Sequence, residues 1–252
     1  MTANPDLIVE REKHHIQLTF NRPECKNAIN LAMYETLAKI LREASTDDEI
    51  VCVIFAGTGD CFSAGNDIND FLEASFEDPT ASAVWAFLQT VAAFDKPLIA
   101  AVHGAAVGIG TTLLLHCDFV YASPQIHCLL PFIDLALCPE FGASLLLPQL
   151  IGRAKANEML MLGQAINSTE AQELGLVNAI CDDPLAKAKE VADSLTNKPL
   201  KALINTKRLL KKTQQAPLQS AMEEELNIFA QSLQTEEFRK IAQAFLNAKN
   251  KK

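Results

Sequence analysis

The residues most able to do chemistry are one acid and two glycine-rich loops. Glu140 stands among Leu137, Cys138, Pro139 and Phe141, directly before Gly142 and an apolar segment of helical length. A carboxyl group in apolar surroundings keeps its proton to higher pH, as a general acid or base working near neutrality requires. The position equally suits an acid at a helix N-terminus, where the dipole favours the charged form and no chemistry follows. The loops run from Gly57 to Ile68 and from Gly104 to Gly110, each after an apolar run. Taken alone, Gly104 to Gly110 reads first as an ordinary strand-turn-helix corner. Two such loops together could aim backbone N–H groups at one oxygen, building an oxyanion hole without side chains. A helix starting near Gly108 would add unpaired N–H groups and the positive end of its dipole.

The other polar candidates are weaker. Arg22 and Lys26 read as solvated loop charges, or as partners for a phosphate or an adenine nucleotide. His14 and His15 fall at a hairpin and are expected in solvent. His103 and His116 lie in or beside apolar segments and read as core or boundary residues. The five histidines show no metal-ligand spacing, and no metal is expected. Asp134 fits a boundary residue paired with backbone.

The elements that must position these residues follow from apolar periodicity and breakers. Leu7 to Glu12 and His15 to Phe20 form a strand pair. Asn30 caps a helix from Leu31 to Ala44, with apolar residues at 33, 37, 40 and 41. Val51–Ala56 and Leu98–Val102 are buried strands, and Ala83 to Phe94 is a helix. Phe71 to Pro79 is expected to be irregular, within a mobile flap between Asn69 and Thr80. Cys117 to Ala122 and Gln125 to Cys128 are short strands. Ala154 to Leu162 is a helix; Ser168 caps another that ends at Gly175, and Leu176 to Ile180 is a last strand. Amphipathic helices then fill 184–195, 200–213, 218–233 and 235–248. Leu203, Ile204, Leu209, Leu218, Met222, Leu226, Phe229, Leu233, Phe238, Ile241 and Phe245 exceed what one surface layer needs. They point to packing on a neighbouring subunit, unless they merely cover their own.

At 252 residues, 49% hydrophobic and 21% charged, the chain is globular. A net charge of −9 argues against nucleic acid or an anionic membrane as partner. The seven cysteines are odd in number and not closely paired, which fits a reducing cytoplasm. No secretory signal, membrane-length apolar run or Ser-Lys-Leu ending is visible.

Taken with Glu140, the loops resemble the crotonase family, the enoyl-CoA hydratase/isomerase superfamily. The matching stretches are Asn21-Arg22-Pro23-Glu24 with Lys26-Asn27-Ala28, Phe62 to Ile68, Gly104 to Gly110, and His116-Cys117-Asp118. Pro139-Glu140 with Gly142, and Ala171 with Gly175-Leu176-Val177, complete the set. The resemblance implies an α/β crotonase (ClpP-like) fold of stacked ββα units over 1–195. A C-terminal helical trimerisation region over 196–252 completes it, in a homotrimer or a dimer of trimers. It implies an acyl-CoA substrate, with coenzyme A as part of the substrate and no separate cofactor. The backbone N–H groups of Ala64 and Ile109 would hold the enolate oxygen. Lys26, Ala28, Ser63, Ala64, Gly65, Asn66, Asp67, Ile68, Gly108, Phe132, Phe245 and Lys249 would bind substrate or CoA, Phe245 and Lys249 often a neighbour's.

Within the family, the two hydratase glutamates correspond here to Thr112 and Phe132, neither of which transfers a proton as a carboxylate does. Glu140 is similar to the single acid of peroxisomal-type Δ3,Δ2-enoyl-CoA isomerases. Asn66-Asp67-Ile68 also looks like that branch. The resemblance thus implies a Δ3,Δ2-enoyl-CoA isomerase of unsaturated fatty-acid β-oxidation. The alternatives are an enoyl-CoA hydratase working through Glu140 alone, another acyl-CoA lyase or isomerase, and an RNA-binding relative that the −9 charge disfavours.

Overall fold

The computed structural model describes residues 4–73 and 79–249; the side chains of Glu73 and Lys249 lie outside it. Strands β1 (Leu7–Glu12) and β2 (His15–Phe20) pair antiparallel. Helix α1 (Leu31–Thr46) follows, its first turn closed by the Asn30 side chain accepting from Met33 N. Strand β3 (Cys52–Gly57), short helices α2 (Ile68–Glu73) and α3 (Ala83–Ala93), and strand β4 (Leu98–Val102) come next. Then come β5 (Ala105–Val107), α4 (Ile109–Thr112), β6 (Phe119–Ala122) and β7 (His127–Leu129). The chain continues through α5 (Ala143–Ile151), α6 (Arg153–Met161), β8 (Ile166–Asn167), α7 (Ser168–Glu173) and β9 (Ala179–Ile180). It finishes with α8 (Pro184–Thr196), α9 (Leu200–Lys211), α10 (Gln215–Leu233) and α11 (Glu236–Lys249).

A six-stranded sheet in the order β1-β2-β3-β4-β6-β9 is parallel except for its first pair. Its inner strands β3 and β4 are buried on both faces, which is why they read as unbroken apolar runs rather than alternating ones. One face packs on α1 and α3, the other on Ala188, Ala192 and Leu195 of α8. A second sheet, β5-β7-β8, is small, and it sets the loop that enters α4.

Four expectations change. His15 is buried, only 3% exposed, with its ring beside Glu12 and facing the charges of Lys189 and Asp193 on α8. The segment expected to be irregular opens as helix α2, and residues 74–78 of the expected flap lie outside the described residues. The cap of α7 is Asn167 rather than Ser168, through a reciprocal box with Glu170. Strands β5 and β8 were not legible, since three and two residues carry no periodic signal. The late helices also cover their own subunit: Leu218, Met222, Phe229, Leu233 and Phe238 are buried in the main core. Leu209, Leu210 and Phe245 remain exposed.

Candidate active site

Two loops are drawn together by backbone pairing before any side chain is considered. Ser63 bridges Ala106 of β5, with Ser63 N donating to Ala105 O at 3.1 Å and Val107 N to Ser63 O at 2.9 Å. Ile29 N donates to Gly65 O, and Asp67 N to Ile29 O, fixing the other side of the same loop. Gly65 has φ +95, and a Cβ there would stand 2.9 Å from Val107 O, so this approach admits only glycine. Ala64 N donates to Lys26 O at 2.8 Å. That corrects the expectation that Ala64 N–H faces a ligand: it is already committed. Asn66 N and Ile109 N have no backbone acceptor among the described residues. Ile109 opens α4 after Gly108, so its N–H is one that no helical carbonyl can reach.

Beside these loops lies a cavity of about 340 Å³. Ala64, Gly65, Asn66, Ile68, Gly108 and Phe132, all expected at the site, line it. Phe245, also expected at the site, lines it from the same chain. Phe71, Phe229, Phe238 and Ile241 complete the apolar wall and were not singled out from sequence as cavity residues. A smaller compartment of about 30 Å³ holds Glu140, with Trp85, Leu88, Met222 and Leu226 among its walls; Phe71 and Phe229 line both spaces.

Other expected ligand groups are occupied in bracing. Ser63 Oγ donates to Asn27 O at 2.9 Å and accepts from Gly65 N at 3.1 Å, so the hydroxyl holds the loop and does not face the cavity. The Asp67 carboxylate takes Arg22 Nη1 at 2.8 Å, and that guanidinium also donates to Ala28 O. Arg22 is therefore a half-buried strut rather than a solvated charge; burial raises the Asp67 carboxyl, but this pairing and the Asn69 hydrogen bonds outweigh it and keep it below its ordinary range. Ala28 is buried, Lys26 is exposed beside the loop, and the Lys249 side chain lies outside the described residues.

Glu140 is 5% exposed, and burial pushes its carboxyl up to about 8, opposed by the Asn66 hydrogen bond. Asn66 Nδ2 donates to its two oxygens at 3.3 and 3.4 Å. The Tyr34 hydroxyl, buried on α1, donates to Asn66 Oδ1 and so leaves the amide nitrogen facing Glu140. Phe141, next in the chain, sits at φ +64, a rare conformation for an aromatic residue. His116 holds it there: its ring stacks on Phe141 at 3.8 Å, and Nε2 donates to Phe141 O at 2.8 Å. Burial pushes His116 down to about 4, so it is neutral and structural, as expected. Thr112 and Phe132 are both buried and carry no carboxylate.

An α/β crotonase fold with one buried acid beside two loop N–H groups defines an acyl-thioester enzyme class. The sequence profile described as enoyl-CoA hydratase/isomerase matches residues 10–252, and the chain belongs to that family. It is 35% identical over 246 residues to 2,3-dehydroadipyl-CoA hydratase of Escherichia coli (strain K12), covering 96% of this chain and 95% of that one. It is 35% identical over 252 residues to enoyl-CoA delta isomerase 2 of Rattus norvegicus, covering 97% of this chain but 64% of the isomerase. The structure of Pseudomonas aeruginosa OdaA superposes with TM-score 0.91 at 40% identity, covering 96% of this chain and 99% of that one. An enoyl-CoA hydratase/isomerase from Pseudoalteromonas atlantica T6c gives 0.91 at 36%, covering 96% and 97%.

Proposed function

We propose that this enzyme is a Δ3,Δ2-enoyl-CoA isomerase. The observation that carries the reading is Glu140, a buried carboxyl with the Asn66 amide as its side-chain donor, where both hydratase acid positions hold Thr112 and Phe132. The thioester oxygen sits on Asn66 N–H and Ile109 N–H, the two loop donors left without a backbone acceptor. Glu140, ionised, takes a C2 proton from a 3-enoyl thioester. Charge spreads onto the oxygen as a dienolate, and the protonated carboxyl returns the proton at C4, leaving the conjugated 2-enoyl thioester. Atoms balance with one acid and no water. The acyl tail points into the compartment walled by Trp85, Leu88 and Leu226. The chain acts in fatty-acid β-oxidation, and its seven free thiols suit a reducing cytoplasm. Exposed Leu209 and Leu210 support association as a trimer or a dimer of trimers.

The test gives purified enzyme 3-enoyl-CoA and 2-enoyl-CoA separately, following double-bond shift by absorbance and hydration by mass. Shift of the 3-enoyl substrate at least ~100-fold faster than hydration of the 2-enoyl one is expected. Fast hydration without shift overturns the isomerase reading in favour of a hydratase.

A further inference from the structure

A second buried carboxylate lies outside the reaction described above. Glu225, on α10, is 6% exposed although Glu223 and Glu224 beside it are exposed. Its Oε2 accepts from Gly142 N at 2.6 Å and its Oε1 from Ser144 N at 2.8 Å. Both donors belong to the start of α5, two and four residues beyond Glu140. Acceptance at both oxygens favours the ionised carboxylate. The same helix packs tightly on this turn: a Cβ at Gly142 would run into Leu218 of α10.

We propose that Glu225 is a positioning residue for Glu140, occupying the helix N-terminus that Glu140 would otherwise reach and fixing the turn on which Glu140 stands. The inference rests on the reading of Glu140 as the proton-transfer group. A carboxylate near a helix N-terminus is normally drawn to the free N–H groups and held ionised by them. Glu225 fills those sites from across the core, which leaves Glu140 with the Asn66 amide as its side-chain donor. The negative charge of Glu225 then opposes a second negative charge on Glu140.

The groups facing Glu140 are few. Tyr34 on α1 stays neutral, because burial raises its hydroxyl well above the ordinary range. Cys138, in the same loop and near both acids, is pushed up to about 12 and is also neutral. Asn66 does not titrate. Burial above all, with exposed Glu224 on the same helix adding to it, holds the Glu225 carboxyl above its ordinary range, against the Ser144 and Gly142 N–H groups that favour the ionised form. Glu225 is therefore the neighbour whose charge sets the field at Glu140.

The test follows carboxyl protonation directly, by infrared difference spectra or 13C-glutamate NMR of the ligand-free protein, beside the pH profile of isomerisation. Glu225→Gln keeps the shape and one acceptor but removes the charge. It should lower the Glu140 midpoint by about one pH unit and shift the rising limb of kcat/KM equally, with KM little changed. Glu225→Asp, one methylene short of both N–H groups but still charged, should hold the midpoint near the wild-type value while lowering kcat. Glu225 ionises while Glu140 is still protonated, so Glu140→Gln, a neutral isostere, should leave the Glu225 midpoint in place. If the Glu225 variants do not fold, the wild-type spectra serve, since Glu225 should ionise at lower pH than Glu140. An unmoved Glu140 midpoint in Glu225→Gln, or a Glu225 carboxyl that is still protonated in the wild type where Glu140 ionises, overturns the proposal. The carboxyl titration stands even if the wild type shifts no double bond, so failure of the isomerase reading is separately visible.

Discussion

The Asn66 amide nitrogen stands 3.3 and 3.4 Å from the two oxygens of Glu140, and it is held to that role from behind by the Tyr34 hydroxyl. An amide can turn either end toward a carboxyl, and a fixed donor on its oxygen decides which. Tyr34→Phe leaves half-buried Asn66 Oδ1 without that donor. We expect kcat to fall about tenfold and stability by about 1–2 kcal/mol, with KM nearly unchanged. Steady-state kinetics with a denaturant curve check both.

A carboxyl group acts as a base only when ionised, and the Glu140 carboxyl is raised to about 8. The kcat/KM for 3-enoyl-CoA should therefore climb with pH and level off above about 8. A flat profile between pH 6 and 9 contradicts this.

The same burial makes Glu140 costly to the fold. Its folded value lies above the unfolded one of 4.5, so its contribution is fully present below pH 4.5 and is lost as pH rises through about 8. Glu140→Gln, a neutral isostere, should be more stable than wild type at pH 9, by a few kcal/mol, and equal to it near pH 4.5. Thermal melts at the two pH values decide the sign.

Much of this site was legible before the fold. Asn30 as a cap, the strands flanking the loops, and the contrast of Glu140 with its apolar neighbours all follow from local sequence. What sequence hid depends on contacts distant along the chain. Ala64 and Asn66 differ in one backbone partner, Lys26 O, which no motif displays. Tyr34 lies outside the apolar positions 33, 37, 40 and 41 that mark α1, and nothing local points it at Asn66. Glu225 sits in a run of three glutamates that reads as solvated. A signal was present even so: Leu218, Met222, Glu225 and Phe229 fall at i, i+4, i+7 and i+11, placing one acid on a buried stripe.

Gly65 keeps the two loops in contact. Gly65→Ala would set a methyl 2.9 Å from Val107 O at φ +95, so the loops must part. Turnover should fall at least about 100-fold, as for a lost oxyanion donor, with a stability cost of about 1–3 kcal/mol. Near-normal kcat in a folded variant would sink the assigned donor pair.

Phe245 lines the large cavity yet is 52% exposed, so removing its ring should cost binding rather than folding. Phe245→Ala is expected to raise KM about threefold to tenfold with kcat and melting temperature unchanged. Calorimetric titration with a saturated acyl-CoA gives an independent reading.

In the proposed reaction Glu140 carries the proton from C2 to C4. The most direct measurement is the appearance of the conjugated 2-enoyl thioester from 3-enoyl-CoA, compared between wild type and Glu140→Gln at saturating substrate. A loss of more than about 100-fold is predicted, with acyl-CoA affinity kept within about threefold. Turnover by Glu140→Gln at close to the wild-type rate would contradict it.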